Sequence, residues 1–268
     1  MTCLLRRTLI PGWLWLPAGI GLFLCAGPLL ALIINVPWAQ LPRLLSAPEV
    51  LQSLGLSLTT AGISTVICFV IGTPLAVLFA RLHGPWLTSA RGILLLPLVL
   101  SPVVSGIALL YFWGRRGLAG QPLGALGIET GFSPLAVILV QVFVSLPFFV
   151  VAGLSAITAV EPEMELTAAT SGAGPTQILR HITLPLALPG LLAGGLLAFA
   201  RSLGEYGATI TFAGSVAGRT RTLPLQIELS LNSNQPEAAL GLSLMLICIY
   251  LIVLILARSG ALRLVPTR

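Results

Sequence analysis

The sequence has no lysine and no aspartate among its 268 residues, so all 14 basic side chains are arginines and all eight acidic ones are glutamates. A Walker A loop needs a lysine to reach the β- and γ-phosphates of a nucleotide, and a Walker B strand ends in aspartate. The two absences exclude an ordinary P-loop ATPase. Any ATP-driven step must therefore use another subunit.

Charge of either sign is scarce. Charged residues make up 8% of the chain and hydrophobic residues 56%, with a mean hydropathy of +1.02, whereas soluble domains carry about 25% charged residues. A soluble globular domain is therefore excluded. The formal net charge of +6 comes from arginines dispersed between long apolar runs. Since no basic face results, the pattern indicates an orientation signal for membrane insertion rather than a nucleic-acid surface.

Residues that bind metals or act as nucleophiles are also few. The four cysteines form no CxxC pair, and the two histidines, His83 and His181, lie outside the long apolar runs. We therefore expect thiols that pack in apolar surroundings, no metal site and no catalytic residue in this chain. An intramembrane enzyme is therefore the least favoured function for this sequence.

Long stretches without any charged side chain divide the sequence into candidate spans, because charge is costly at the centre of a bilayer. They predict an all-α, polytopic integral membrane protein with six transmembrane helices. Arginines are more frequent on the side that holds both termini, so both termini are predicted to be cytoplasmic. The predicted spans are 12–36, 54–80, 92–113, 134–157, 185–211 and 239–257.

The segment 160–185, between the fourth and fifth spans, has strong local signals. Pro162 and Pro175 suit the first turns of two short helices, and Gly172 and Gly174 permit a sharp turn between them. The sequence therefore predicts a compact helical loop at the cytoplasmic surface. It is either a docking element for a partner or an ordinary amphipathic connector.

Arg201 and Glu205 are an ionisable pair inside the fifth predicted span. They are four residues apart and so share one helix face, with Arg201 about 24 Å from the cytoplasmic end of that span. Intramembrane charges are functional candidates. Two interpretations stay open, namely a gate or pathway for an anion and an ion pair that holds helices together.

Several motifs resemble those of a known family. Gly172, then nine intervening residues, then Ile182-Thr183-Leu184-Pro185 resembles the EAA loop of ABC importer membrane subunits. The acid of that motif is set one place back in this sequence, at Glu165. The segments GTPLAVLFAR, LPLVLSPVVSG, ARSLGEYGATITF and GRTRTLPLQIE begin at positions 72, 96, 200 and 218. They resemble the molybdate branch of that family, and the resemblance extends from about residue 54 to the C-terminus.

The resemblance implies a single permease domain over 1–268, with a type I ABC importer core at about 54–257. It implies a homodimer in the bacterial inner membrane, two cytoplasmic ATPase subunits that bind ATP and magnesium, and a periplasmic oxyanion-binding protein. The implied substrate is molybdate or tungstate. Sulfate or thiosulfate is the alternative within the family, and a secondary anion transporter is the alternative outside it.

The resemblance also implies roles for individual residues. The loop at 160–185 would be the coupling helix, formed by Glu165, Ala168, Ala169, Gly172, Ala173, Gly174, Ile182, Leu184 and Pro185. The candidate pathway or gate residues are Arg201, Ser202, Glu205, Tyr206, Ser101 and Ser105.

Overall fold

A computed structural model describes residues 11–264, and the regular structure within them is entirely helical. A single 3-10 turn, Gly12–Leu14, precedes the first α-helix. Arg6, Arg7 and Arg268, which contribute to the predicted orientation, lie outside the described residues. The helices are α1 (Trp15–Asn35), α2 (Leu41–Leu45), α3 (Pro48–Arg81), α4 (Pro85–Val99), α5 (Pro102–Trp113), α6 (Gly120–Ala125), α7 (Pro134–Thr158), α8 (Pro162–Thr170), α9 (Pro175–Ile178), α10 (Leu184–Leu203), α11 (Gly207–Phe212), α12 (Leu223–Asn232) and α13 (Pro236–Leu264).

Within residues 11–264, five helical segments are long and apolar enough to cross a membrane. They correspond to the first, second, fourth, fifth and sixth predicted spans, and the largest difference is at the fifth, predicted at 185–211 and observed at Pro175–Leu203. The fourth segment, Pro175–Leu203, joins α9 to α10 through a π-helical turn at Leu179–Thr183. The prediction of a polytopic all-α membrane protein is thus confirmed.

The third predicted span, 92–113, is not one continuous helix. Two shorter apolar helices, α4 and α5, take its place, and Leu100 and Ser101 between them are extended. The break has a local cause, since the residue before a proline is pushed out of the helical region and proline suits a first helical turn. Ser101 precedes Pro102, and its hydroxyl caps α5 by accepting a hydrogen bond from the Val104 N–H at 3.4 Å.

The fifth predicted span, 185–211, is also interrupted. α10 ends at Leu203 and α11 begins at Gly207, so Gly204, Glu205 and Tyr206 form a break between them. Interrupted helices are tolerated at membrane depth where they lie against protein or line a cavity.

Three long helices, α3, α7 and α10, form the centre of the bundle and pack around Phe149, Val150 and Leu191. Small residues allow this close approach. A methyl group on Gly190 would collide with Ala156, and one on Gly194 would lie 3.0 Å from the side chain of Ala152. These small residues of α10 therefore allow it to pack closely against α7.

Polar side chains between α3 and α7 are buried and bonded to one another. Ser64 donates a hydrogen bond of 3.1 Å to the side-chain oxygen of Gln141, and the Cys68 thiol and Ser145 hydroxyl lie 3.4 Å apart. These contacts join α3 to α7 within one copy of the chain.

Candidate functional site

The segment 161–183, called the knob below, consists of α8, a tight turn, α9 and the π-helical turn. α8 and α9 begin at Pro162 and Pro175, as predicted. Gly172 has φ = +88°, a left-handed conformation that L-residues with a side chain rarely adopt. The N–H of Gly172 bonds to the Ala169 carbonyl and that of Ala173 to the Ala168 carbonyl, each at 3.0 Å. This pair of bonds is a Schellman motif, which ends α8 sharply.

The turn of the knob is exposed. Nothing lies within 4 Å of the position that a Cβ on Gly172 would occupy. Gly174 caps α9, because its N–H donates a 2.9 Å hydrogen bond to the side-chain oxygen of Gln177. A shallow concave surface of about 440 Å³ is lined by Gly172, Ala173 and Ile182 among others. The knob thus presents small residues and a backbone turn to the outside of the chain.

The other predicted coupling residues join the knob to the bundle or lie beside it. Leu184 packs against the central core, while Pro185 is exposed in the first turn of α10. Ala168 is half-buried and Ala169 exposed on α8. Their proposed role in docking stays a prediction.

Glu165 has a partner that the sequence does not reveal. Its carboxylate forms a two-pronged ion pair with the guanidinium of Arg81, at the end of α3 and 84 positions earlier in the chain. Glu165 also accepts a hydrogen bond of 2.6 Å from the buried hydroxyl of Thr183. The hydrogen bond from Arg81 is the main cause that lowers the pKa of Glu165 below its ordinary value, so the carboxylate is ionised at neutral pH.

Arg201 and Glu205 pair with each other across the end of α10. Arg201 Nη1 lies 2.6 Å from Glu205 Oε2, and Glu205 Oε1 accepts a 2.9 Å hydrogen bond from the N–H of Ala208 in α11. The Glu205 side chain is 2% exposed, whereas that of Arg201 is 31% exposed. One carboxylate therefore neutralises an arginine of α10 and caps α11, and only the arginine has a face directed out of the chain.

The remaining candidate pathway residues fall into two groups. Ser105 and Ser202 are buried, and the Ser202 hydroxyl has no hydrogen-bond partner among the described residues. Ser101 and Tyr206 are exposed at the two helix breaks. In this conformation the exposed pair and Arg201 can meet a solute outside the chain, and the buried residues cannot.

Arg91 has a structural role that sequence reasoning missed. From α4 its guanidinium donates to the Phe79 carbonyl and, at 3.5 Å, to the Leu82 carbonyl, and it lies 5.5 Å from the centre of the Phe79 ring. A cation is favourable there, because the last carbonyls of a helix lack partners within it. The signal available in the sequence is an arginine ten residues after the end of an apolar run.

The chain is similar to proteins of known families over most of its length. Residues 72–266 match the model of the family described as binding-protein-dependent transport system inner membrane component. The molybdenum transport system permease protein ModB of Mycobacterium tuberculosis is 50% identical over 214 residues, which cover 80% of this chain and 81% of that protein. The protein of the same name from Escherichia coli K12 is 41% identical over 181 residues, covering 67% of this chain and 79% of that protein.

A solved structure has a similar fold. A chain from the crystal structure of a bacterial alginate ABC transporter, in complex with an alginate pentasaccharide-bound periplasmic protein, superposes with a TM-score of 0.77. The match covers 95% of both chains at 18% sequence identity. At that identity the similarity concerns the fold alone.

Proposed function

The chain belongs to the family of binding-protein-dependent transport system inner membrane components, and we propose that it is the membrane-spanning subunit of an ATP-driven molybdate importer. The observation that supports molybdate as the substrate is the 50% identity to the mycobacterial molybdenum permease over 80% of the chain. The fold and the knob support the importer class. The chain itself is a transport component and not an enzyme.

The proposed assembly contains two copies of this chain, two ATPase subunits and a periplasmic binding protein for an oxyanion. The absence of lysine and aspartate supports a separate ATPase, since the nucleotide site of a P-loop ATPase needs both residues. The exposed turn around Gly172 supports docking, because small residues and a bare backbone allow close approach to a partner.

The proposed path for the anion lies between two copies of the chain. Polar side chains inside one copy, such as Ser64 and Gln141, already bond to each other. Arg201, Ser101 and Tyr206 have exposed surface at the helix breaks and would line the path. Glu205, Ser202 and Ser105 would support them from within. A weakly polar path suits a transporter whose selectivity comes from its binding protein.

The proposed location is a bacterial inner membrane, with both termini and the knob on the cytoplasmic side. Trp86 and Trp15 are exposed at the first turns of α4 and α1, which this orientation places at the cytoplasmic interface. Tryptophan at helix ends is typical of membrane interfaces. The excess of arginine on the same side agrees with that orientation.

The test is purification of the chain from its native membranes in mild detergent, followed by intact-complex mass measurement and reconstitution in liposomes. We expect two copies of the chain with two P-loop ATPases, and uptake of radioactive molybdate that requires both ATP and the loaded binding protein. Competition by unlabelled tungstate, sulfate and thiosulfate identifies the substrate range. Liposomes that hold the chain alone are the control. Anion transport by the chain alone without ATP would instead establish a secondary transporter.

A further inference from the structure

The first helix of the knob is not fixed by apolar packing. α8 contains no buried residue, and Glu165 and Ala168 are its only half-buried ones. A groove of about 660 Å³ lies between α8 and the end of α3, with Val77 on one wall and Leu166 and Ala169 on the other. Since side chains do not interdigitate across this groove, the position of α8 depends on other contacts.

The ion pair between Arg81 and Glu165 bridges this groove. It provides the only hydrogen bonds between α3 and α8 among residues 11–264. Thr183 completes the contact, since its hydroxyl donates to Glu165 at 2.6 Å and accepts from Arg81 Nη2 at 3.3 Å. Thr183 is fully buried and ends the π-helical turn that leads into α10. Three elements therefore meet at one carboxylate.

The contact between Arg81 and Glu165 fixes an orientation as well as a distance. A guanidinium that donates to both oxygens of a carboxylate fixes the relative orientation of the two planar groups, which a lysine ammonium does not do. The Thr183 hydroxyl holds the same carboxylate from the side of α10. A displacement of α8 must therefore move α3 and α10 with it or break three polar contacts.

We propose that Arg81 is a positioning residue for transport, which through Glu165 and Thr183 transmits movement of the knob to α3 and α10. The inference rests on the proposed function, because it needs an ATPase that moves the knob. Without the ion pair, α8 can tilt about the Gly172 turn and the groove, so movement at the knob is lost before it reaches the spans. ATP hydrolysis then continues with less transport.

The experiment measures molybdate taken up per ATP hydrolysed by the complete reconstituted complex, with loaded binding protein. The test variants are Glu165→Gln, which keeps the shape of the side chain, Arg81→Lys, and the exchange Arg81→Glu with Glu165→Arg. Glu163→Gln is the matched control, since it removes the same charge from the same helix at a side chain with no bonded partner among the described residues.

We expect Glu165→Gln and Arg81→Lys to bind the ATPase as the wild type does and to lower uptake per ATP about fivefold or more, the range typical of coupling between sites. Glu163→Gln should keep the wild-type ratio, and the charge exchange should recover part of it. Such recovery would show that the lower uptake per ATP comes from loss of the ion pair and not from misfolding. If Arg81→Lys does not fold, the isosteric Glu165→Gln carries the test.

Two results would overturn the proposal without affecting the proposed function. One is a wild-type ratio of uptake to ATP hydrolysis in Glu165→Gln. The other is failure of Glu165→Gln to bind the ATPase, which would make the residue part of the docking surface. A wild-type complex that takes up no molybdate with ATP would instead overturn the proposed function, and this inference with it.

Discussion

Pro102 lies against Gly207 so closely that a methyl group at position 207 would overlap the proline ring. Through this contact the break that starts α5 meets the break that starts α11. Gly106, one turn further along α5, has the same relationship to Thr211, whose Cβ would lie 2.5 Å from an added methyl. The two interrupted helices are thus packed together at their irregular ends.

Gly207→Ala should lower the stability of the protein by about 1–3 kcal/mol, because overpacking at a tight contact forces the backbone apart. Thermal unfolding in detergent measures the change. Gly55→Ala is the control, since nothing lies within 4 Å of an added methyl on that part of α3. Equal melting temperatures for the two variants would contradict the tight contact between the breaks.

Single and double variants can separate the contribution of Arg201 and Glu205 to stability from their contribution to transport. Arg201→Gln alone should cost about 3 kcal/mol, because it leaves the buried Glu205 carboxylate without its counter-charge. Adding Glu205→Gln should restore most of that stability while uptake of molybdate stays low, since the positive charge at the proposed path is gone. A double variant with normal uptake would show that the pair acts only in holding the helices.

Arg91→Ala should cost about 1–3 kcal/mol, as expected when hydrogen bonds from a charged donor to the end of a helix are lost. We expect a lower melting temperature and lower yield in the membrane, with a normal ratio of uptake to ATP hydrolysis in the protein that remains. Arg116→Ala, at an exposed side chain with no bonded partner in the described part of the chain, is the control. If both variants melt alike, the interaction at Phe79 and Leu82 contributes nothing.

Two substitutions at Gly172 can show whether the knob needs the left-handed backbone conformation, a small residue, or both. Gly172→Val must adopt an unfavourable left-handed backbone that costs about 1–2 kcal/mol, whereas asparagine tolerates it. The position that a Cβ would take at Gly172 has nothing within 4 Å among the described residues, so membrane insertion should stay normal in both variants. If small size matters for docking, Gly172→Asn should also lose ATP-driven uptake. Full uptake by Gly172→Asn would show that the knob needs only the left-handed turn.

The lowered pKa of Glu165 gives the pH dependence of its ion pair. A carboxylate with a folded-state pKa below its unfolded value stabilises the fold fully above the unfolded value, about 4.5, and loses this contribution as pH falls through the lower folded value. Titration of Glu165 should therefore leave uptake per ATP unchanged between about pH 8 and pH 5. In acid unfolding of the purified chain, the Glu165→Gln variant should lack the loss of stability that protonation of Glu165 causes in the wild type. Identical acid profiles for the variant and the wild type would contradict it.

The sequence predicts much of the fold because its main signals are local. Burial of charge in a bilayer is costly for any tertiary arrangement, so uncharged runs mark the spans. Pro162, Pro175 and Gly172 likewise set the ends of α8 and α9 through their own backbone preferences. The interruption at Ser101 and Pro102 has a local signal as well, but a count of charge-free runs does not detect it.

Local signals in the sequence thus predict the membrane class, the order of the long helices and the knob, but not the interruptions of the third and fifth predicted spans. Which side chains meet depends on how the helices pack. Arg81 and Glu165 are 84 positions apart, and Ser64 and Gln141 are 77 apart. No periodicity or propensity of one segment specifies such a contact, because it exists only after the two helices that carry the side chains have packed. The same packing buries Glu205 and leaves part of Arg201 exposed, although the two residues are neighbours on one turn of helix.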